Sequence, residues 1–352
     1  MRQILAGAVL FALSSVSLRA GDQLLYSLTY SEKPQRFVKS EIYSMAPDGD
    51  KATLLFSDAN TDLLLLPRFG SAGDSQVIVQ GQGKVFAQGI ERSHYPGYWS
   101  GKGTAVYELS LDSSNKYRKV FDIQGENGLQ HLYVDPAGQK LAYRYCDNGG
   151  CFLAIHDSVT GKVLLHVPDS TLFGEANPVN FGWFPDGRTM FFSLVAGIDD
   201  GADRIGSYVM QGDEKHITRI GPELKSLQIS DYRADPGLPP VIIAVLPNGQ
   251  FLVSDWQFKR NAPPPAKAET FLFFWDPGAK SQKQLLMRSS HISHFRLSGS
   301  AKYLAYIEEL VGKNLQRVWI MNLESGKEKD LFGTDRDLYS PPYFALIGWV
   351  VR

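Results

Sequence analysis

The sequence predicts an all-β protein, a six-bladed β-propeller, from three observations. An apolar strand, a turn of the Pro-Asp-Gly kind and a second apolar strand recur along the chain. A second motif, a strand holding one aromatic residue and closed by a polar turn, recurs between the copies of the first. The first motif occurs five times and the second six, and an unmatched strand at each end of the chain accounts for the difference.

The clearest copies of the first motif turn at Pro136-Ala137-Gly138, Pro185-Asp186-Gly187 and Pro247-Asn248-Gly249. Weaker copies turn at Ser71-Ala72-Gly73-Asp74 and Ser298-Gly299-Ser300. The anchors at 71, 136, 185, 247 and 298 lie 65, 49, 62 and 51 residues apart. Proline presets φ for the first turn position, while Asp, Asn and Gly accept the tight or left-handed conformations a short turn needs. The second motif carries the aromatics Tyr43, Tyr107, Tyr208, Trp275 and Trp319, and its copy at Leu153-Ala154-Ile155-His156 has a histidine. One such residue per blade is expected to pack between neighbouring sheets.

The unmatched strands are residues 24–30 and 344–351. Joined, they complete a sixth four-stranded blade, and the two ends of the chain close a ring. Residues 21–352 then supply about 55 residues per blade, above the ~40–45 of compact propeller repeats, with the excess in loops. A two-sheet sandwich is the competing architecture; the paired motifs argue against it. No linker divides the chain, so residues 21–352 are expected to form one propeller domain.

Residues 1–20 are expected to stand apart from that domain. Arg2 gives a positive start, residues 4–18 are apolar and uncharged, and Ser17-Leu18-Arg19-Ala20 offers a small residue where a signal peptidase cuts. Fifteen apolar residues fall short of the ~20 that span a bilayer. A cleaved secretory signal is therefore expected, placing the mature protein in the periplasm without a membrane span; an uncleaved N-terminal anchor is the alternative. An exported chain meets oxidising conditions, and Cys146 and Cys151 fit them. They bracket the turn-rich Asp147-Asn148-Gly149-Gly150 between apolar runs, where residues flanking a hairpin loop come close enough for a disulfide.

The phrases WFPDGRTMFFS, EIYSMAPDGDKATLLF and RVWIMNLESGKEKDLF resemble the PD40, or WD40-like, repeats of TolB-type propellers. The same repeats occur in the propeller domains of prolyl oligopeptidase-like enzymes. The resemblance extends over residues 22–352, and its motifs specify blades rather than chemistry. It implies a Gram-negative periplasmic six-bladed propeller that binds other envelope proteins. One departure stands out: TolB carries an α/β domain ahead of its propeller, and the sequence leaves no room for one between the leader and the first blade.

Several function classes drop out on composition and motif. With 36 basic and 37 acidic residues and a net charge of −1, the chain lacks the basic field that nucleic acid requires. No G-x-S-x-G nucleophile elbow occurs, since Gly97-Tyr98-Trp99-Ser100-Gly101 places its serine one position late. The seven histidines show no H-E-x-x-H spacing, and the acidic loop Asp199-Asp200-Gly201-Ala202-Asp203 lacks the full calcium-loop pattern. No metal and no cofactor are expected. His131, His291 and His294 lie near the starts of innermost strands and could face a central channel, although polar packing explains them as well.

The remaining signal is uneven loop enlargement. The longest connections span residues 83–103, 220–239 and 256–269, all expected on the face opposite the Pro-Asp-Gly turns. The first carries Arg92, His94, Tyr95, Tyr98 and Trp99, aromatics beside cations as binding surfaces favour. The second carries Asp231, Tyr232 and Arg233; the third carries Lys259 and Arg260 ahead of Pro263-Pro264-Pro265, a stiff spacer. The expectation is a monomeric, non-enzymatic propeller that docks an envelope protein or peptide through this face. The alternatives are a propeller enzyme of the polysaccharide lyase or lactonase kind, or a sensor that binds a small ligand in the central channel.

Overall fold

In the computed structural model the chain is described over residues 21–33, 36–49, 51–66, 78–81, 84–97, 103–123, 129–174, 176–195, 205–211, 216–220, 224–234, 239–261, 268–288, 290–310, 315–332 and 342–351. Nearly all regular structure in these residues is antiparallel β-sheet, arranged as six blades.

The first blade begins with β1 (Asp22–Lys33), β2 (Arg36–Met45) and β3 (Ala52–Ser57). The second holds β4 (Leu63–Leu65), β5 (Ile78–Gly81), β6 (Lys84–Glu91), β7 (Ala105–Leu109) and β8 (Tyr117–Asp122). The third holds β9 (Leu129–Val134), β10 (Lys140–Asp147), β11 (Gly150–Asp157) and β12 (Val163–Pro168), and a single helical turn, α1 (Asp169–Leu172), follows it. The fourth holds β13 (Asn177–Trp183), β14 (Thr189–Val195), β15 (Gly206–Gln211) and β16 (Thr218–Arg219). The fifth holds β17 (Tyr232–Ala234), β18 (Val241–Val245), β19 (Phe251–Lys259), β20 (Ala268–Asp276) and β21 (Ser281–Arg288). The sixth holds β22 (His291–Leu297), β23 (Tyr303–Glu309), β24 (Gln316–Asn322) and β25 (Glu328–Asp330). Finally β26 (Tyr343–Val351) returns to the first blade and pairs with β1, Leu24 opposite Trp349 and Leu28 opposite Phe344. The two ends of the chain thus complete one sheet, as the unmatched terminal strands predict.

Apolar side chains seal each blade against the next. One cluster runs across blades 1, 2 and 3, including Leu25, Phe56, Phe86 and Leu132. Others join blades 3 and 4 through Ile155 and Phe192, blades 4 and 5 through Phe191 and Phe273, and blades 5 and 6 through Leu272 and Tyr306. The ring closes where Ile307 and Val318 of blade 6 pack on Leu24 and Leu346 of blade 1. Burying these faces is what stabilises the ring, since no blade covers both sides of its own sheet.

The Pro-Asp-Gly turns join the innermost strand of a blade to the second. Gly138, Gly187 and Gly249 take φ of 68°, 63° and 82° and return their N–H to Asp135, Phe184 and Leu246. In the fourth copy Ala301 adopts the left-handed conformation at φ 56°. Asp186 completes its turn by accepting from the N–H groups of Arg188 and Thr189. The fifth copy differs from expectation. Residues 71–74 lie outside the described residues, between β4 and β5, whereas the ladder from β5 into β6 brings Gly81 opposite Lys84. The innermost strands of blades 2 and 5 are in two pieces, β4 with β5 and β17 with β18, each pair lying along one unbroken partner, β6 or β19.

Tyr107, Tyr208 and Trp275 are buried on third strands; Tyr43 stacks on Tyr26 at 5.4 Å, and Trp319 donates to Glu308 at 2.7 Å. Cys146 and Cys151 form a disulfide between directly opposed positions, their Cα atoms 4.0 Å apart. The ladder continues to Asp147 and Gly150, so the turn has two residues, Asn148 and Gly149, rather than four. Gly150 sits at φ 124°, a value that side-chain-bearing residues avoid. No helix among the described residues is long and apolar enough to cross a membrane.

Candidate functional site

Antiparallel blades put their connections at two ends. Innermost-to-second and third-to-outer turns share the Pro-Asp-Gly end. Second-to-third and blade-to-blade connections share the other, and the candidate loop residues fall there, although their spans are shorter than expected. Residues 84–91 of the first span form strand β6, residues 232–234 of the second form β17, and residues 256–259 of the third complete β19. Alternation of apolar and polar residues was too weak in these short stretches to mark them as strands.

The structure gives the candidate residues different surroundings. Arg92 is committed to its own scaffold: Nε donates to the Thr61 carbonyl at 3.0 Å, Nη1 to Val38 at 3.1 Å, and Nη2 to the Asp58 carbonyl and carboxylate. Tyr95 accepts the N–H of Phe37 at 3.1 Å and packs on an apolar cluster with Phe37, Leu64 and Ile90. His94 is exposed beside Glu91. Tyr98 and Trp99, like the acidic loop at 199–203 and the triproline at 263–265, lie outside the described residues.

Blade 5 gathers the other two loops. Because β17 pairs with β19, Tyr232 lies opposite Lys259. Arg260 donates from its backbone to Asp231 and from Nε to Tyr232, both at 2.8 Å. The Tyr232 hydroxyl donates to Glu269 at 2.7 Å. The Arg233 guanidinium lies 5.9 Å from the Phe258 ring centre. Asp231, Arg233, Lys259 and Arg260 thus share one end of one blade.

A candidate ligand space lies along the channel. A cavity of about 450 Å³ runs beside the innermost strands of blades 4, 5 and 6, with Tyr133 of blade 3 also on its wall, from Pro239 and His291 at the long-connection end to Trp183 and Leu297 at the Pro-Asp-Gly end. Its volume suits a small-molecule site. Phe181, Phe191, Val241 and Ile243 give it apolar walls, and its polar lining includes Asn180, Ser293, His294 and Arg296. Asn180 is held in place, accepting from Tyr133 Oη at 3.1 Å and donating to the Ile242 carbonyl at 2.6 Å.

Arg296 is the unusual member. Its guanidinium donates through Nε to Ile347 O at 3.1 Å, through Nη1 to Phe295 O at 2.6 Å, and through Nη2 to Leu346 O at 3.0 Å. No carboxylate among the described residues pairs with it. Burial pulls its pKa down to about 10, which leaves it charged at neutral pH. His294, two residues earlier, sits at φ 55° in a bulge that shifts the β22–β23 register between Ser293 and Arg296. Burial, together with the Arg296 charge, pushes its pKa down to about 3. Its Nδ1 lies 2.8 Å from Ser293 Oγ. His291 faces Glu309 at 3.4 Å and the Trp256 ring at 5.2 Å. The third channel histidine, His131, is buried against Phe181 at 5.6 Å and does not line the cavity. Among the described residues no three His, Cys, Asp or Glu side chains cluster to hold a metal.

Both cavity-lining indoles have buried N–H groups, at Trp183 and Trp256, without a hydrogen-bond acceptor among the described residues. Next to Trp256 in β19, the buried carboxylate of Asp255 accepts from Ser226, Leu227 and Gln257 and so ties residues 226–227 to blade 5. Sequence reasoning missed Arg296, Trp183 and Trp256. The usable signal was Arg296 itself, a charged residue within an innermost strand; the bulge at His294 breaks the alternation that would have shown which way it points.

The sequence matches no family model and no curated protein. Solved structures do resemble it. A protein assigned as TolB in Agrobacterium tumefaciens superposes with a TM-score of 0.51 at 14% identity, covering 94% of this chain and 99% of that one. The likeness is one of fold. TolB from Acinetobacter baumannii gives 0.46 at 15% identity over 87% of this chain and 68% of that one. A protein assigned as a 6-phosphogluconolactonase in Bacteroides uniformis gives 0.48 at 14% identity over 94% and 100%.

Proposed function

We propose that this protein is an exported β-propeller that acts by binding, and that its binding centre is the channel cavity on blades 4, 5 and 6. The observation that carries this reading is the enclosed space of about 450 Å³ with apolar walls and convergent polar groups at His294 and Arg296. Export is supported by the leader-like residues 1–20 and by the Cys146–Cys151 disulfide. Among the described cavity-lining residues, Ser293 and His294 are the serine and histidine in hydrogen-bond contact, and their chemistry favours binding over catalysis. A proton taken from Ser293 would have to rest on His294, whose pKa near 3 makes it a poor base.

Thermal-shift screening of the mature chain tests the reading, because a ligand at a hundred times its Kd stabilises the native state by about 2.7 kcal/mol. The stabilising compound should lose its effect in Val241→Phe, which fills the cavity from β18. A shift that survives this substitution places the site elsewhere. A second reading, docking of an envelope protein or peptide, is favoured by the pairing of β17 with β19, which gathers Asp231, Arg233, Lys259 and Arg260. In that case Arg233→Glu and Lys259→Glu together abolish capture of the partner from envelope extracts, and Val241→Phe leaves it intact.

A further inference from the structure

We infer that the occupant of the channel cavity is a small organic carboxylate, its charge set against Arg296 and its apolar body lying along Phe181, Phe191 and Ile243. This inference rests on the cavity being the binding centre and adds the chemical class of what it takes.

The charge of the cavity decides the sign of the ligand. Of the residues that line it, Arg296 is a permanent cation and none is Asp or Glu. A buried guanidinium normally meets a carboxylate, since the desolvation of an unpaired ion is severe. Here its acceptors among the described residues are three backbone carbonyls, which leave two of the five guanidinium N–H groups without a partner there. Carbonyl dipoles solvate the group without neutralising it.

The other polar groups point the same way. The lining holds a cation and no acid, and such a wall selects an acceptor that carries negative charge. Lys140 adds a second cation near the Pro-Asp-Gly end, 5.7 Å from the Trp183 ring. Glu309 faces His291 at the opposite end of the cavity, and Asp135 lies beside Gly187 near Lys140, so among the lining residues themselves Arg296 is the group that draws an anion. His294 contributes no charge near neutral pH; it serves as a hydrogen-bonding group beside Ser293. A bare inorganic anion would leave the aromatic and aliphatic walls unfilled, whereas a carboxylate on an apolar body meets both requirements.

Calorimetry on the whole mature chain tests this with 3-phenylpropionate, its neutral amide 3-phenylpropionamide, and inorganic phosphate. The carboxylate should bind at least 10-fold more tightly than the amide, and phosphate more weakly than either. Arg296→Met should erase the preference. If that variant fails to fold, Arg296→Lys supplies the second measurement; it should keep the preference for carboxylate over amide while weakening the carboxylate by about 3-fold or more. Equal binding of carboxylate and amide, both lost in Val241→Phe, overturns the anionic assignment and keeps the cavity as the binding centre. Phosphate binding as tightly as 3-phenylpropionate overturns the apolar body. Failure of all three probes to bind at 10 mM overturns the cavity reading itself.

Discussion

Nη2 of Arg92 donates to Oδ1 of Asp58 at 3.1 Å, and the carboxylate it meets is completely buried. Asp58 also accepts the N–H groups of Ser40 and Leu65, so it ties β2 to β4 across the joint between blades 1 and 2. Arg92 is therefore a structural cation of that joint. Arg92→Ala should lower unfolding free energy by about 3 kcal/mol, because it strands a buried charge. Arg92→Lys should recover only part of that, since an ammonium cannot reproduce the fork that reaches Thr61, Val38 and Asp58 together. Urea unfolding measures both; a loss within ~0.5 kcal/mol for the alanine variant would mean the residue is free to serve a partner instead.

The closing strand gives the second prediction. β26 buries Phe344, Leu346, Ile347, Trp349 and Val350, and it supplies the innermost edge of blade 1. Deleting residues 343–352 should abolish the cooperative transition of the whole ring and not merely fray one end. Near-UV circular dichroism and the calorimetric melt report it. A truncated chain that melts like the parent would show that the blades stand without closure.

Acid should act through buried groups of opposite sign, with His156 shifted like His294, and Asp169 and Asp255 shifted like Asp58. The unfolded His294 titrates near 6.5 and the folded one near 3, so the unfolded chain takes up the proton first and stability falls as pH drops between those values. The slope from this one group reaches about 1.4 kcal/mol per pH unit. Desolvation raises Asp58 from 3.8 to about 6, so the folded state takes up that proton first and acid is stabilising between about 6 and 4. The two slopes oppose each other there, and the His294 loss emerges below pH 4. His294→Asn keeps a residue that tolerates the left-handed conformation while removing the titrating ring beside Arg296, His291 and Glu309. Its unfolding free energy should fall less steeply than the parent's between pH 4 and 3, a comparison in which carboxylates common to both proteins cancel. Parallel curves would place His294 in a far less desolvated setting.

The ring was legible because its signals are local. A Pro-Asp-Gly turn reports its own strands, and the unmatched terminal strands force the pairing of β1 with β26. The disulfide followed from two cysteines astride a turn, although the actual ladder runs one pair further, to Asp147 and Gly150. The channel was not legible, because its wall is assembled from residues on four different blades. Tyr133, Trp183, Val241 and Arg296 carry no mutual spacing in the sequence. Loop residues misled for a related reason. Arg92 and Tyr95 look like a binding surface in the sequence, and only the folded chain shows that their polar atoms are turned inward on Asp58 and Phe37.

Arg296 belongs to two structures at once, the wall of the channel and the joint that fastens blade 6 to the returning end of the chain at Leu346 and Ile347. On the proposed binding at this cavity, a guest that hydrogen-bonds the guanidinium in place would hold the clasp shut, and one that draws it inward would prise the clasp open. The last fastening of the ring would then register channel occupancy as a change in how readily the entire circle comes apart.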